Sequence, residues 1–449
     1  MQPIQTDSQE ASSVFVERFR ALEGAWSQNG SSWFVERRRE AIDRFTELGL
    51  PTMRDEAWKY TNVARLKKHA FRCELGTVDE ENLGQFAIEG LDATHLVFVD
   101  GAFCADLSSV DGLADGVVVE SLASALSARR EQIEPRLSRQ AEIDSHAFVA
   151  LNTALAEDGA YVHVAKNTDV SRPIHLQFIA TAKDAPLMAH PRILIDVERG
   201  ARVTVIEDYV ALHADAVYFD NVVTEIFVAE NAHVAHYKLQ RESSAAFHVA
   251  TIAVELAASS VFVSSSFSFG GALVRNDIDA ILAGEGVECT LDGLVVGADK
   301  QHTDNHTRIV HAKPHSHSWE LYKSVLDDKA HSVFNGKIYV AEDAQKTDAK
   351  QTNQSLLLSD TAAIDTKPEL EIYADDVKCT HGATVGQLDK ESLFYLRSRG
   401  IDAQSARDLL IYAFASDVVE HVKIEPLRKR IEELVFAKLP KSGLLESSH

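Results

Sequence analysis

A turn-then-strand unit recurs through the middle of the chain, in ERGARVTV, AENAHVAHY, AASSVFVS, GEGVECTL, DDKAHSVF and SDTAAIDT. The apolar or small residue after each turn falls at Val203, Val234, Val261, Cys289, Ser332 and Ile364, giving spacings of 31, 27, 28, 43 and 32. An imperfect repeat of this length marks stacked architectures, because one unit cannot bury its inner face and needs its neighbours to do so. The intervening runs, such as YVHVA, IHLQFIATA, RILIDV and TEIFVA, are rich in Val, Ile, Thr and Phe and read as strands. Two strands per unit, stacked into a β-helix, would protect most strand edges. A two-sheet sandwich fits the same periodicity with different pairing.

The flanks have another texture. Near the start, Phe15, Phe19, Leu22 and Trp26 keep one helical face, and Ser31 is placed to cap a second helix carrying Phe34, Ala41, Phe45 and Leu48, stopped by Gly49 and Pro51. LVFVDGAF reads as a strand entering a turn at Asp100-Gly101, and residues 117–157 return to helical spacing through Leu122, Leu126 and Leu151 to Leu155. Beyond 388, Asp389 and Asp402 can cap helices, Gly400 ends one and Pro426 opens another. Ala406, Leu409, Leu410, Ala413, Phe414, Val418 and Val422 form one apolar stripe, and Leu427, Ile431, Leu434 and Val435 a second. The expected division is a mainly helical region over 1–158, a β core over 159–387 and a helical domain over 388–449.

Charge and cysteine content narrow the function classes. With 45 basic against 68 acidic side chains the net charge is −23, which argues against nucleic acid or an anionic membrane as principal partner. Cys73, Cys104, Cys289 and Cys379 form no C-x-x-C pair, so neither a disulfide framework nor a self-sufficient four-cysteine cluster site is legible. The opening MQPIQTDSQEASS has no basic start or apolar core, and no run of 18 apolar residues occurs, so the expected location is the cytoplasm.

Several segments carry candidate chemistry. ADDVKCTHGATVG places Cys379 and His381 two residues apart, on one face of a strand, where thiolate and imidazole form a soft ligand pair for iron, zinc or an iron–sulfur cluster. The bland alternative is a small packed cysteine beside a hydrogen-bonded histidine. His302, His306, His311, His315 and His317 crowd into QHTDNHTRIVHAKPHSHSW, yet no Cys or carboxylate completes a ligand set there. A carbohydrate-active β-helix enzyme would need paired carboxylates, but the adjacent Asp375 and Asp376 face opposite sides of a strand. No G-x-x-x-x-G-K-[ST] loop is present, so ATP hydrolysis would belong to a partner.

ADDVKCTHGATVG and LFYLRSRGI, with DAQKTDAKQTNQSLLLSD, PHSHSWELYKSVLDDKAHSVFNGKIYVAEDAQKTDA and RDEAWKYTNVARL, resemble the SufB/SufD family of iron–sulfur assembly scaffolds over most of the chain. The resemblance implies a mainly β fold with a right-handed parallel β-helix core. It also implies a scaffold that pairs with SufB through the β-helix and binds the SufC ATPase through the C-terminal helices. A transient iron–sulfur cluster would be shared with SufB, with His381 as the matching ligand and Cys379 ranked second. The pattern leans to the SufD branch: where SufB carries its essential cysteine, this chain has Asn353 or its neighbours, and Gly382 stands where SufB has a glutamate. A homodimer of the isolated chain and a bound reduced flavin remain open, the latter with no motif by which to judge it.

Overall fold

The computed structural model describes residues 6–26 and 32–438. Helices α1 (Thr6–Trp26), α2 (Val35–Leu48) and α3 (Glu80–Gly84) lead to strands β1 (Thr94–Val99), β2 (Ala102–Phe103) and β3 (Val117–Ser121), then to α4 (Leu122–Ala128), α5 (Arg130–Ile133) and α6 (Ala147–Leu155). The strands continue as β4 (Gly159–Val164), β5 (Ile174–Ala180), β6 (Leu187–Ala189), β7 (Arg192–Val197), β8 (Arg202–Ala211), β9 (Tyr218–Val228), β10 (His233–Arg241) and β11 (Phe247–Leu256). They are followed by β12 (Val261–Ser268), β13 (Leu273–Leu282), β14 (Glu288–Gly297), β15 (His302–His311), β16 (His317–Leu326), β17 (His331–Val340), β18 (Asp348–Leu357), β19 (Ala363–Ile372) and β20 (Lys378–Gly386). Three helices close the described chain: α7 (Lys390–Ser398), α8 (Ala403–Val419) and α9 (Glu425–Lys438).

From β7 onward the long strands alternate between two sheets, and each pairs in parallel with the strand two positions away in the chain. The result is a parallel β-helix of about eight turns, mainly β overall, with helical regions at both chain ends. Register is strict. Val203, Val234, Phe262, Cys289, Ser318, Ala349 and Cys379 lie side by side on one sheet, at spacings of 31, 28, 27, 29, 31 and 30 residues.

Two repeat markers read from sequence therefore move. Val261 sits one residue before the true partner, Phe262, and Ser332 and Ile364 pair with each other on the opposite sheet. The spacing of 43 was a change of sheet. Turns before strands of both sheets look alike, and an alternating strand leaves a one-residue ambiguity in sequence.

Alternation divides the side chains between lumen and exterior. Val203, Val205, Val234, Phe262, Cys289 and Leu291 belong to the continuous inner core. On the outer side of one sheet, Ile206, Leu239, Phe267, Leu294, Val325 and Leu356 are covered by Ile411, Ala415, Val418 and Val419 of α8 and by Leu427, Ile431 and Val435 of α9. The other sheet presents Phe219, Val223, Phe247 and Val249 to Phe15, Phe19, Phe45 and Phe148 of the N-terminal helices.

Three local expectations are corrected. Residues 117–121 form a strand, because Val117 and Val119 fill the lumen-side core while β3 pairs antiparallel with β4. The α8 stripe is rotated: Ala406, Ile411, Ala415, Val418 and Val419 are buried, whereas Leu409 is 42% exposed. Two apolar stripes run along this helix, and the sequence alone does not say which one meets the sheet. Ser31 lies outside the described residues, and the α2 N-cap is Phe34, which makes no side-chain cap bond. Gly49 does end α2, with φ +66° and its N–H bonded to Phe45 O.

Glu225 fastens the N-terminal region to the helix. Its buried carboxylate accepts from the backbone N–H groups of Ser138 (2.7 Å), Arg139 (2.9 Å), Gln140 (3.0 Å) and Ala141 (3.1 Å), and from Arg192 Nη2 (2.5 Å). Glu225→Ala removes the acceptor of these four backbone N–H groups and of Arg192 Nη2, leaving that guanidinium only Asn152 and Thr153, so unfolding stability falls by about 3–5 kcal/mol. Chemical denaturation checks this, and a loss below about 1 kcal/mol would show that the carboxylate is dispensable.

Candidate functional site

The β-helix ends at an open turn. β20 and β19 are the last strands of their sheets, each paired on one side only. On the β20 side, Cys379, His381 and Ala383 stack in register on Ala349, Gln351 and Asn353, which stack on Ser318, Glu320 and Tyr322. Cys379 and His381 therefore stand on the lumen-facing side of the final strand, where no further turn among the described residues covers them. His381 is exposed, and among the described residues it has no side-chain hydrogen-bond partner. Cys379 is half-buried and packs against the cluster of Ile338, Val340, Ala344, Ala349 and Ala374. Burial, then the charge of Asp348, raises its thiol pKa above the ordinary value.

The floor beneath this pair is polar. Gln351 Nε2 donates to Glu320 Oε2 at 2.6 Å, and Asn353 Nδ2 to Tyr322 O at 3.2 Å. Burial pushes the Glu320 carboxyl up to about 7. Gly336 is required opposite Gln351, since a Cβ there would lie 2.2 Å from Gln351 Nε2. Gln351 Oε1 and Asn353 Oδ1 are buried without hydrogen-bond partners. The end of the lumen thus presents one free imidazole, one thiol and a supporting layer of amide and carboxyl oxygens.

The histidine-rich segment does not converge. His302 and His306 lie on the exterior of β15 beside Asp304, but Arg275 takes Asp304 at 2.6 Å, and His302 Nε2 meets Thr61 Oγ1 at 2.8 Å. His311 turns into the lumen and bonds Ser316 and Ser318 at 2.8 and 2.9 Å. His315 occupies a left-handed turn at φ 61°, and the His317 ring stacks with Trp319 at 5.7 Å. WKYT acquires a structural role here: Trp58 covers the Arg275 guanidinium at 4.5 Å and Thr61 bonds Asp304, docking the N-terminal segment on the exterior of the sheet. The carboxylate pair of a glycosidase does not form at Asp375 and Asp376, because Asp376 is joined to Lys346 and leaves the exposed Asp375 alone.

Sequence spacing missed a different cluster, Asp220, Glu242 and His248, in the early turns of the β-helix. Asp220 and His248 are neighbours only through the register of β9 and β11, and Glu242 follows the end of β10. No linear motif signals that meeting. Burial and the adjacent Glu242 hold the Asp220 carboxyl well above the usual carboxylate range.

Comparison with known families places this open-ended β-helix with helical flanks in one class. The model for the SufBD core domain of SUF-system iron–sulfur cluster assembly matches residues 178–414, and the model for the SufBD N-terminal region matches residues 9–176. The chain belongs to the SufBD family of iron–sulfur cluster assembly proteins, on its SufD side.

It is 36% identical over 404 residues to the iron–sulfur cluster assembly protein SufD of Escherichia coli, covering 90% of this chain and 92% of that protein. It is 30% identical over 425 residues to SufD of Bacillus subtilis, covering 91% and 94%. A SufBD family protein of Synechocystis sp. is 36% identical over 418 residues, covering 91% of each chain. No described helix is long and apolar enough to cross a membrane.

The raised Cys379 thiol pKa has a kinetic consequence, because the thiolate is the nucleophile. At pH 8 the folded chain should alkylate at Cys379 more slowly than an unstructured cysteine peptide does. Mass-spectrometric rates of iodoacetamide labelling test this, and labelling at the peptide rate or faster would contradict the buried-thiol description.

Proposed function

We propose that the chain is a non-catalytic scaffold subunit of iron–sulfur cluster biogenesis that pairs with SufB through the open end of its β-helix. The nascent cluster, the cargo of the system, forms at that SufB/SufD junction with His381 as a ligand and Cys379 as the second candidate. The observation that carries this reading is the final turn, where strand edges and a lumen-facing Cys-x-His pair are left uncovered together. A stack of this kind needs a cap at its end, and a parallel strand with unpaired N–H and C=O groups favours one made of another chain's strands.

A neutral imidazole is a competent iron ligand. A site shared across two chains accounts for the shortage of soft ligands here. Gln351, in register directly beneath His381 and with its Oε1 unbonded, offers the acceptor oxygen that commonly holds the second nitrogen of a ligating histidine.

SufC, the ATPase of the system, binds the C-terminal helical domain of 388–449 in this reading. Phe394 and Tyr395 of α7 are 74% and 57% exposed, and with Leu396 and Leu410 they line an open apolar hollow of about 840 Å³. Aromatic side chains at such a hollow are the usual anchors of an interface. ATP-driven closure of SufC would then shift the C-terminal helices against the β-helix and open or close the junction near His381. Sulfur would arrive as persulfide through SufB.

Two measurements follow. In a complex reconstituted anaerobically with SufB, SufC and a sulfur donor, His381→Ala should fold and assemble normally but lower the yield of cluster, read by iron and sulfide content. An unchanged yield would remove His381 from the site. Phe394→Ala with Tyr395→Ala should weaken SufC binding by about tenfold or more while leaving thermal melting unchanged, and calorimetric binding at wild-type affinity would place SufC elsewhere.

A further inference from the structure

We propose that Asp220, Glu242 and His248 form a divalent-cation site in the early turns of the β-helix, distinct from the open end and independent of the function proposed for it. One ligand atom from each residue lies within 4.8 Å of the others, in a group buried inside the fold. Two carboxylates and an imidazole, with no thiolate, suit a first-row divalent ion such as Fe(II) or Mn(II).

The ligands are already oriented. Gln240 Nε2 donates to Glu242 Oε2 at 2.7 Å, and Lys238 Nζ meets His248 Nε2 at 2.8 Å, so supporting groups hold the far atoms of both side chains. One near atom is left over. Glu242 Oε1 is buried with no hydrogen-bond partner. His248 Nδ1 faces the same carboxylate, 3.0 Å from Glu242 Oε2. A buried carboxylate oxygen is rarely left unbonded, and this one belongs to the residue grouped with both Asp220 and His248.

Charge points in the same direction. Glu207, Asp220 and Glu242 are three buried carboxylates grouped around Lys238 and His236, and His236 Nε2 lies 3.1 Å from Glu207 Oε1. A divalent cation between Asp220 and Glu242 relieves the repulsion of two adjacent buried carboxylates.

The site borders a cavity. Asp220 and Tyr218 line a narrow cavity with about 10 Å³ open to a water-sized sphere. Asp100, Gly101, Met188 and Ala189 line both this cavity and a surface pocket of about 240 Å³.

The test uses the full-length chain, stripped by chelation and kept anaerobic. Mn(II) should bind at one equivalent in equilibrium dialysis, and electron spin-echo modulation of the bound ion should show coupling to one histidine nitrogen, altered by ¹⁵N-histidine labelling. Asp220→Asn and Glu242→Gln should each weaken binding at least tenfold, and Fe(II) should compete, whereas His381→Ala should leave binding unchanged. Should either variant fail to fold, the spin-echo result on the wild-type chain decides. No Mn(II) bound at millimolar concentration, no histidine nitrogen coupling, or undiminished binding in folded Asp220→Asn would overturn the proposal and leave two carboxylates sharing a proton.

Discussion

Strict parallel register between successive turns is the constraint on which the rest of the structure depends. Because neighbouring strands pair residue for residue, each position in one turn belongs to a column running the length of the β-helix. A slip of one residue would exchange lumen and exterior along a whole strand. It would put Lys323 and Asp292, which now hold Asp417 and His421 of the C-terminal region at 2.5 and 2.9 Å, into the core. Apolar columns such as that of Val203, Val234 and Phe262 resist this slip, and the helical layers on both exteriors add to the resistance.

The same regularity creates the functional problem of the fold, since a stack must stop. Among the described residues it stops without a cap at the C-terminal end, and the columns that elsewhere carry buried side chains leave Cys379 half-buried and His381 exposed. The turn beneath them is built for support. Gly336 makes room for Gln351, Gln351 holds Glu320, and the result is a polar floor beneath the exposed His381. The proposed site and the unpaired edges thus share one origin, the end of the stack.

Much of this was legible in the chain. The roughly thirty-residue repeat, the helical flanks and the Cys-x-His pair on one strand face all follow from spacing, and the sequence blocks around them carried the family resemblance. What escaped was whatever depended on contacts between distant segments. The α8 helix has two apolar stripes, and only docking on the sheet decides that Ile411 and Ala415 are buried while Leu409 remains for the exterior. The histidine-rich run looked like one feature and is divided among exterior, turn and lumen. Asp220 and His248 are joined by register alone, so no linear pattern could have announced them.

Hydrogen–deuterium exchange of the chain, alone and in complex with SufB, tests the central claim that the open turn is the partner surface. The amides of Ala363–Ile372 and Lys378–Gly386 on the unpaired edges should exchange rapidly in the isolated chain and slow strongly in the complex. Unchanged exchange in both strands, with protection appearing elsewhere, would contradict the account and detach His381 from the junction.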